Sequence, residues 1–207
     1  VAMEQALRIY NGKPLINSTN GKEKSMHEIF PLAKKYGGVV VCLCLDENGI
    51  PETADGRIKV AKKIINTAAE YGIDKKDLIV DALAMTISTD TKNAIETLKA
   101  VDYIKHTLGV NTVLGVSNIS FGLPNREAVN TAFYTLCLKA GLSAGIINPK
   151  SQSMMNAYYS YNALAGLDEN CTEYIESAVV IDVVADASNI TLLDAIVKGC
   201  LLYTSDA

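Results

Sequence analysis

No apolar run in this sequence approaches the roughly 20 residues that a membrane span needs, so no segment reads as a transmembrane helix. The chain opens on VAMEQALRIYNGK, without a basic stretch leading into an apolar one, and no secretory signal is visible. Basic residues are not in excess. Nineteen Lys and Arg stand against 23 Asp and Glu, for a net charge of −4 and a pI near 5.2, which argues against a nucleic-acid or anionic-membrane partner. Histidine is scarce: His27 and His106 fall among Lys and Glu in helix-like segments, where surface positions are expected, and no Ser/His/Asp set assembles around them. The five cysteines form no CxxC and no Cys/His cluster, so no metal site is expected. Cys42 and Cys44 alternate within an apolar run and share one face of a strand; buried thiols are the first reading and a metal or redox pair the alternative. The odd count and the missing signal suit a reducing cytoplasm.

What is present is a chain of 207 residues, 49% hydrophobic and 20% charged, long enough to bury one sizeable core. Five short β-prone runs recur at Pro14–Ser18, Val39–Leu45, Leu78–Asp81, Thr112–Ser117 and Ser143–Asn148. Their starts lie roughly 25 to 40 residues apart, the length of a strand-helix unit. Amphipathic helical stretches separate them. Lys22–Tyr36 places Met26, Ile29, Phe30 and Ala33 at helical spacing, and Ala54–Tyr71 does the same with Ile58, Ala61, Ile65 and Ala68. Thr91–Leu108 and Arg126–Ala140 complete the set, and each of the four helices stops at glycine. Helices that end at glycine and lead into fully apolar strands describe a parallel sheet covered by helices.

Two architectures share that grammar, the doubly wound open sheet and the (β/α)8 barrel. An open nucleotide-binding sheet usually carries a Gly-rich turn after its first strand, and none is present. Polar residues instead stand at or near the strand ends: Asn17, Asp46, Asp81, Asn118 and Asn148. Each by itself can be an Asx turn or a cap. Five together match the ring at the mouth of a barrel, where such enzymes build their sites. The expected fold is therefore α/β, a (β/α)8 TIM barrel of which about five strand-helix units are present. The chain opens within a helix, Ala2–Tyr10, with no strand before it, so three N-terminal strands are expected to be missing and the sequence to be a C-terminal fragment. The last eight residues, CLLYTSDA, read as a translation of the transposase mosaic end used in sequencing libraries, and adapter read-through is expected over residues 200–207; a genuine helix end with a Tyr-Thr-Ser turn is the alternative.

Three segments carry a more specific pattern: PLINSTNG at Pro14–Gly21, LIVDALAMTIST at Leu78–Thr89 and LGVSNISFGLPNR at Leu114–Arg126, with weaker support from Val39–Pro51. Together they resemble the pterin-binding methyltetrahydrofolate methyltransferase domains, whose two main kinds are the domain of cobalamin-dependent methionine synthase and the acetogenic corrinoid methyltransferases. The resemblance spans residues 1–178 and implies the pterin-binding type of TIM barrel. It also implies that Asn17, Asp81 and Asn118 contact the pterin. Arg126 matches an arginine of the motif. Asp46 and Asn148 are further candidates at the mouth. Ala82 departs from the pattern, where proline often follows the aspartate, and Asn148 stands where aspartate is frequent.

The implied chemistry is methyl transfer from 5-methyltetrahydrofolate to the cobalt(I) of a cobalamin or other corrinoid held by another domain, on the route from homocysteine to methionine. A carboxylate such as Asp81 accepts two N–H bonds from the amino-pyrimidinone edge of a pterin, and an amide such as Asn17 both donates and accepts. The tertiary amine that loses its methyl group must gain a proton or strong hydrogen bonding by the transition state, help typically worth about 10²–10⁴-fold. Asn118 is the candidate catalytic residue at that nitrogen; its alternative is the closing of a strand-helix turn. Residues 179–190 read as a linker, and residues 191–199, TLLDAIVKG, as the start of a corrinoid-binding helical cap or else a last barrel helix. Competing readings are a stand-alone corrinoid methyltransferase, a pterin-binding module without catalysis, and a dihydropteroate synthase. The last needs a basic phosphate site near the final strand, where GIINPKSQS offers only Lys150.

Overall fold

The computed structural model describes residues 2–178. The linker, cap and adapter expected beyond residue 178 lie outside the described residues. Helix α1 (Ala2–Ile9) is followed by β1 (Leu15–Asn20), α2 (Glu23–Tyr36), β2 (Val39–Leu43), α3 (Ala54–Glu70), β3 (Leu78–Asp81), α4 (Asn93–Asp102), β4 (Asn111–Gly115), α5 (Arg126–Lys139), β5 (Ala144–Ile146), α6 (Gln152–Leu164) and α7 (Thr172–Ser177). All four strand pairings are parallel and the strand order is β1-β2-β3-β4-β5. A doubly wound sheet reverses direction at its switch point. This sheet never does, and the order is the one a barrel wall requires.

Register divides the strand residues between two faces. Ile16, Val40, Cys42, Leu78, Val80 and Leu114 point to the helices and are buried. Phe30 and Met26 from α2, Ile64 and Ala61 from α3, and Ala100 and Ile104 complete this layer, all at 0–1% exposure. The other face is the concave one. It carries Leu15 and Ile146, which are 62% and 58% exposed, with Asn17, Val41, Leu43, Ile79, Asp81 and Val113 between them. The cysteines follow the expected reading: Cys42 and Cys44 are fully buried free thiols, and burial pushes the Cys42 thiol up to about 12. His27 and His106 are exposed and bonded to Tyr71 and Asp102.

Two expectations need correction, and two helices come as additions. The stretch Thr91–Leu108 is not one α-helix: α4 ends at Asp102 and passes into a π-helical turn, Tyr103–Thr107, that lets the Leu108 N–H reach the Tyr103 carbonyl at 3.1 Å. The helices after β5, α6 and α7, were not expected from the sequence because they carry no clear apolar stripe: α6 buries only Met154 and α7 buries nothing. The five polar residues do not form a single ring. Asn17 lies inside β1, three residues before its end, since a bulge between Asn17 and Thr19 lets the strand run on to Asn20. Asn118 and Asn148 lie beyond their strands.

Gly21 closes the end of β1 against β2 and α3. Its N–H donates to the Leu45 carbonyl at 2.7 Å, and an added Cβ would stand 2.9 Å from that oxygen and 2.7 Å from Val60 Cγ1. The Leu45 carbonyl is backbone held by the Gly21 N–H just beyond β2, and Val60 is buried, so neither recedes easily, and Gly21→Ala in the full-length protein should lower its stability by about 1–3 kcal/mol, measured by urea unfolding. An unchanged midpoint would show that this junction is looser than described.

Candidate functional site

The concave face gathers its polar groups near the ends of β3 and β4. Asp81, the last residue of β3, is 8% exposed. Its Oδ1 accepts the Leu83 N–H at 2.8 Å, and its carbonyl accepts the Cys44 N–H at 2.9 Å. The second carboxylate oxygen has no hydrogen-bond donor among the described residues. Burial raises the Asp81 carboxyl to about 6, against the opposing pull of the Leu83 N–H. A carboxylate desolvated without a cation beside it is suited to a ligand that brings its own N–H groups.

Asn118 sits in a 3-10 turn, Val116–Ser120, that follows β4 directly. Val113 pairs with Asp81, so Gly115, two residues on, belongs to the same concave face. A Cβ added at Gly115 would lie 3.3 Å from Asn118 Nδ2. The carboxamide is therefore folded back over the concave face, one strand away from Asp81. The side chain caps no helix and makes no hydrogen bond among the described residues, so the strand-helix turn does not use it; its main-chain carbonyl accepts from the Phe121 N–H instead.

The two loops that carry these groups are fastened together. The Ile87 N–H donates to the Ile119 carbonyl at 3.0 Å, and the hydroxyls of Thr86 and Ser88 both donate to the Phe121 carbonyl, at 2.7 and 2.9 Å. Arg126 braces the same loop. Its Nε donates to Ser120 Oγ at 3.0 Å, its Nη2 to the Ser117 carbonyl at 2.8 Å, and its guanidinium stands 5.5 Å from the Phe121 ring centre. It also lines an open cavity of about 510 Å³ with Asn130, Asn148 and Lys150.

Of the remaining candidates, Asn17 shares the concave face, in the layer of Val41 and Ile79, just below that of Asp81. Asp46 and Asn148 do not join this group. Asp46 Oδ1 accepts the Asn48 N–H at 2.8 Å and Asn148 Oδ1 the Lys150 N–H at 3.1 Å, the Asx turns that each residue offers on its own. One residue was missed. Arg57, in the first turn of α3, is fully buried and hydrogen-bonds the Leu83 carbonyl beside Asp81. The available signal was its place between Ala54 and Ile58 on the stripe that continues through Ala61 and Ile65, where a cation has no reason to lie unless something buried receives it.

The family profile described as pterin binding enzyme matches residues 1–148. The methionine synthase of Mycobacterium leprae (strain TN) is 33% identical over 179 residues, covering 80% of this chain and 15% of that protein. The methylcorrinoid:tetrahydrofolate methyltransferase of Eubacterium limosum is 28% identical over 163 residues, covering 77% of this chain and 60% of that protein. The chain thus spans less than two thirds of either relative. Among solved structures, dihydropteroate synthase of Yersinia pestis superposes with a TM-score of 0.55 at 14% identity, over 79% of this chain and 76% of that one. The likeness is one of fold: the five strands are part of a (β/α)8 barrel.

The state of Asp81 has a consequence for stability. Its folded-state carboxyl titrates near 6, above the ordinary 3.8, so stability is greatest when it is protonated and falls as pH rises from about 4 to about 6. The ionised form at pH 7.5 costs roughly 3 kcal/mol. Asp81→Asn in the full-length protein without ligand should therefore raise urea stability at pH 7.5 by up to about 3 kcal/mol, and by about half of that at pH 5. A loss of stability at pH 7.5 would show that the carboxylate is better solvated than its burial indicates.

Proposed function

The chain belongs to the pterin binding enzyme family, and from that premise we propose that it is the folate-binding methyltransferase part of a larger, methionine-synthase-like protein. The observation that carries the proposal is the buried Asp81 carboxylate, with one oxygen lacking a donor among the described residues, at the floor of a mouth that Asn118 overhangs. In this reading 5-methyltetrahydrofolate lies across the concave face. Asp81 accepts two N–H bonds from the amino-pyrimidinone edge, and Asn17 adds a donor and an acceptor from β1. Arg126 keeps the Ser117–Phe121 loop in place through its two hydrogen bonds and its stacking on Phe121.

Asn118 then faces the nitrogen that bears the methyl group. Its amide cannot supply a proton, but its Oδ1 accepts from the N–H of the protonated amine and so lowers the energy of the state in which the methyl group departs. Water at the open mouth delivers the proton. A corrinoid carried by a partner domain supplies the cobalt(I) nucleophile. Imidazoles and thiols are far weaker nucleophiles; among the described residues, the two histidines are bonded at helix surfaces, the thiols of Cys42, Cys44 and Cys137 are buried, and Cys171 is exposed just before α7.

The likeness to the Eubacterium limosum methyltransferase supports a second reading, in which the same site belongs to a stand-alone enzyme that exchanges methyl groups between folate and a corrinoid protein. The complete open reading frame, with a homocysteine methylation assay, separates the two. Dihydropteroate synthesis is disfavoured by chemistry: the stretch Gly145–Ser153 offers a single cation, Lys150.

In the full-length protein, Asn118→Ala should slow single-turnover methyl transfer to added cob(I)alamin by about 10-fold or more, the scale of a lost hydrogen bond to a charged group. Folate affinity should fall by a smaller factor, because the bond strengthens as the methyl group leaves. Disappearance of the cob(I)alamin absorbance, beside an equilibrium titration, reads both. Equal losses would make Asn118 a plain binding residue, and no loss in either would remove it from the site.

A further inference from the structure

Among the described residues, Arg57 makes three hydrogen bonds and has no carboxylate partner. Nε donates to the Pro51 carbonyl at 3.0 Å, and Nη1 to the Leu83 carbonyl at 3.0 Å and to Thr97 Oγ1 at 2.7 Å. Thr97 Oγ1 donates in turn to the Asn93 carbonyl at 2.8 Å. Nη2 is buried with no partner among the described residues. A fully buried guanidinium left partly unpaired is a poor way to fill a core, since an apolar side chain of similar volume often serves stability as well or better. What it holds explains its presence. Leu83 has φ of +62°, a left-handed conformation that leucine avoids. In that conformation its N–H turns back to Asp81 Oδ1 while its carbonyl faces Arg57. Gly56 lets the arrangement close, because a Cβ there would stand 2.6 Å from Pro51 Cβ.

We propose that Arg57 is a positioning residue for folate binding: by holding the Leu83 carbonyl it keeps the Leu83 N–H on the Asp81 carboxylate, and so keeps that carboxylate oriented and ionisable toward the pterin. The proposal rests on the folate reading above. Without Arg57, Leu83 relaxes toward negative φ, the N–H leaves Oδ1, and the buried carboxyl becomes harder to ionise. The ionisable groups around this centre are Cys44 and Cys42 from the β2 strand and loop, Arg57 from α3, and Glu96 from α4. Glu96 is committed to the Ala54 N–H and to Lys99. Both thiols are pushed to about 12 or above by burial and stay neutral near pH 6, which leaves Asp81 as the group whose protonation changes there.

The test is the pH dependence of 5-methyltetrahydrofolate binding to the full-length protein, by equilibrium titration. The parent should lose affinity as pH falls through about 6. Arg57→Lys keeps the charge but cannot span the same acceptors. It should move that midpoint up by about one pH unit, weakening binding about 5-fold at pH 6 and hardly at all at pH 8. Titration of the ligand is common to both proteins and cancels in the comparison. Adding Leu83→Gly, which adopts positive φ freely, should return the midpoint toward that of the parent. A loss of equal factor at pH 6 and pH 8, or no recovery with Leu83→Gly, would assign Arg57 to packing alone and overturn the proposal. If Arg57→Lys does not fold, Thr97→Val decides, since it removes one of the two acceptors that hold Nη1: a raised midpoint supports the proposal and an unchanged one overturns it. If the parent binds no folate, the folate reading falls instead. The Asp81 carboxyl midpoint, followed by carbon-13 chemical shift in parent and variant, then shows whether Arg57 positions the carboxylate.

Discussion

The desolvated carboxylate of Asp81 is the constraint around which the concave face is organised. It ends a strand whose neighbours on that face are Leu43 and Val113, so water reaches it poorly, and among the described residues its charge is answered by one backbone N–H. A group in that condition either takes up a proton or waits for donors from outside. The burial that makes it costly to ionise also makes it discriminating, because a ligand lacking the matching N–H groups leaves a buried charge unpaired.

Holding such a group in one orientation demands more of the loops than of the strands. The turn after β3 relies on a leucine in a left-handed conformation, secured from behind by a buried arginine. The turn after β4 relies on a glycine that leaves room for the Asn118 carboxamide. Between the two turns, Thr86, Ile87 and Ser88 bond to Ile119 and Phe121, so Asp81 and Asn118 are carried on one continuous rim rather than on two independent loops. Arg126 closes the outer side of that rim.

Much of the fold was legible because its signals are local. Apolar runs near Val39, Leu78 and Thr112 became β2, β3 and β4, and the apolar positions of Lys22–Tyr36 and Ala54–Tyr71 became the buried faces of α2 and α3. The site was less evenly visible. Asx residues near strand ends look alike in a sequence, and Asp46, Asn148 and Asp81 each accept the N–H two residues on; Asp81 differs in ending a strand buried on the concave face, and Asn118 in making no side-chain hydrogen bond among the described residues. The difference lies in burial and in the face each side chain occupies, which register and packing decide and no motif displays. Arg57 stayed hidden because its acceptors, Leu83 and Thr97, are 26 and 40 residues away.

The sequence by itself determined the alternation of strands and helices, the lack of a Gly-rich turn after the first strand and the motifs that mark the pterin-binding family, because periodicity and short motifs are properties of neighbouring residues. Tertiary structure alone decided that the strands run in the order β1 to β5, that Asn17, Asp81 and Asn118 face one concavity, and that a cation in α3 supports the turn beside Asp81. Those facts depend on register, burial and hydrogen bonds between residues far apart in the chain, and they exist only once the sheet has closed on its helices.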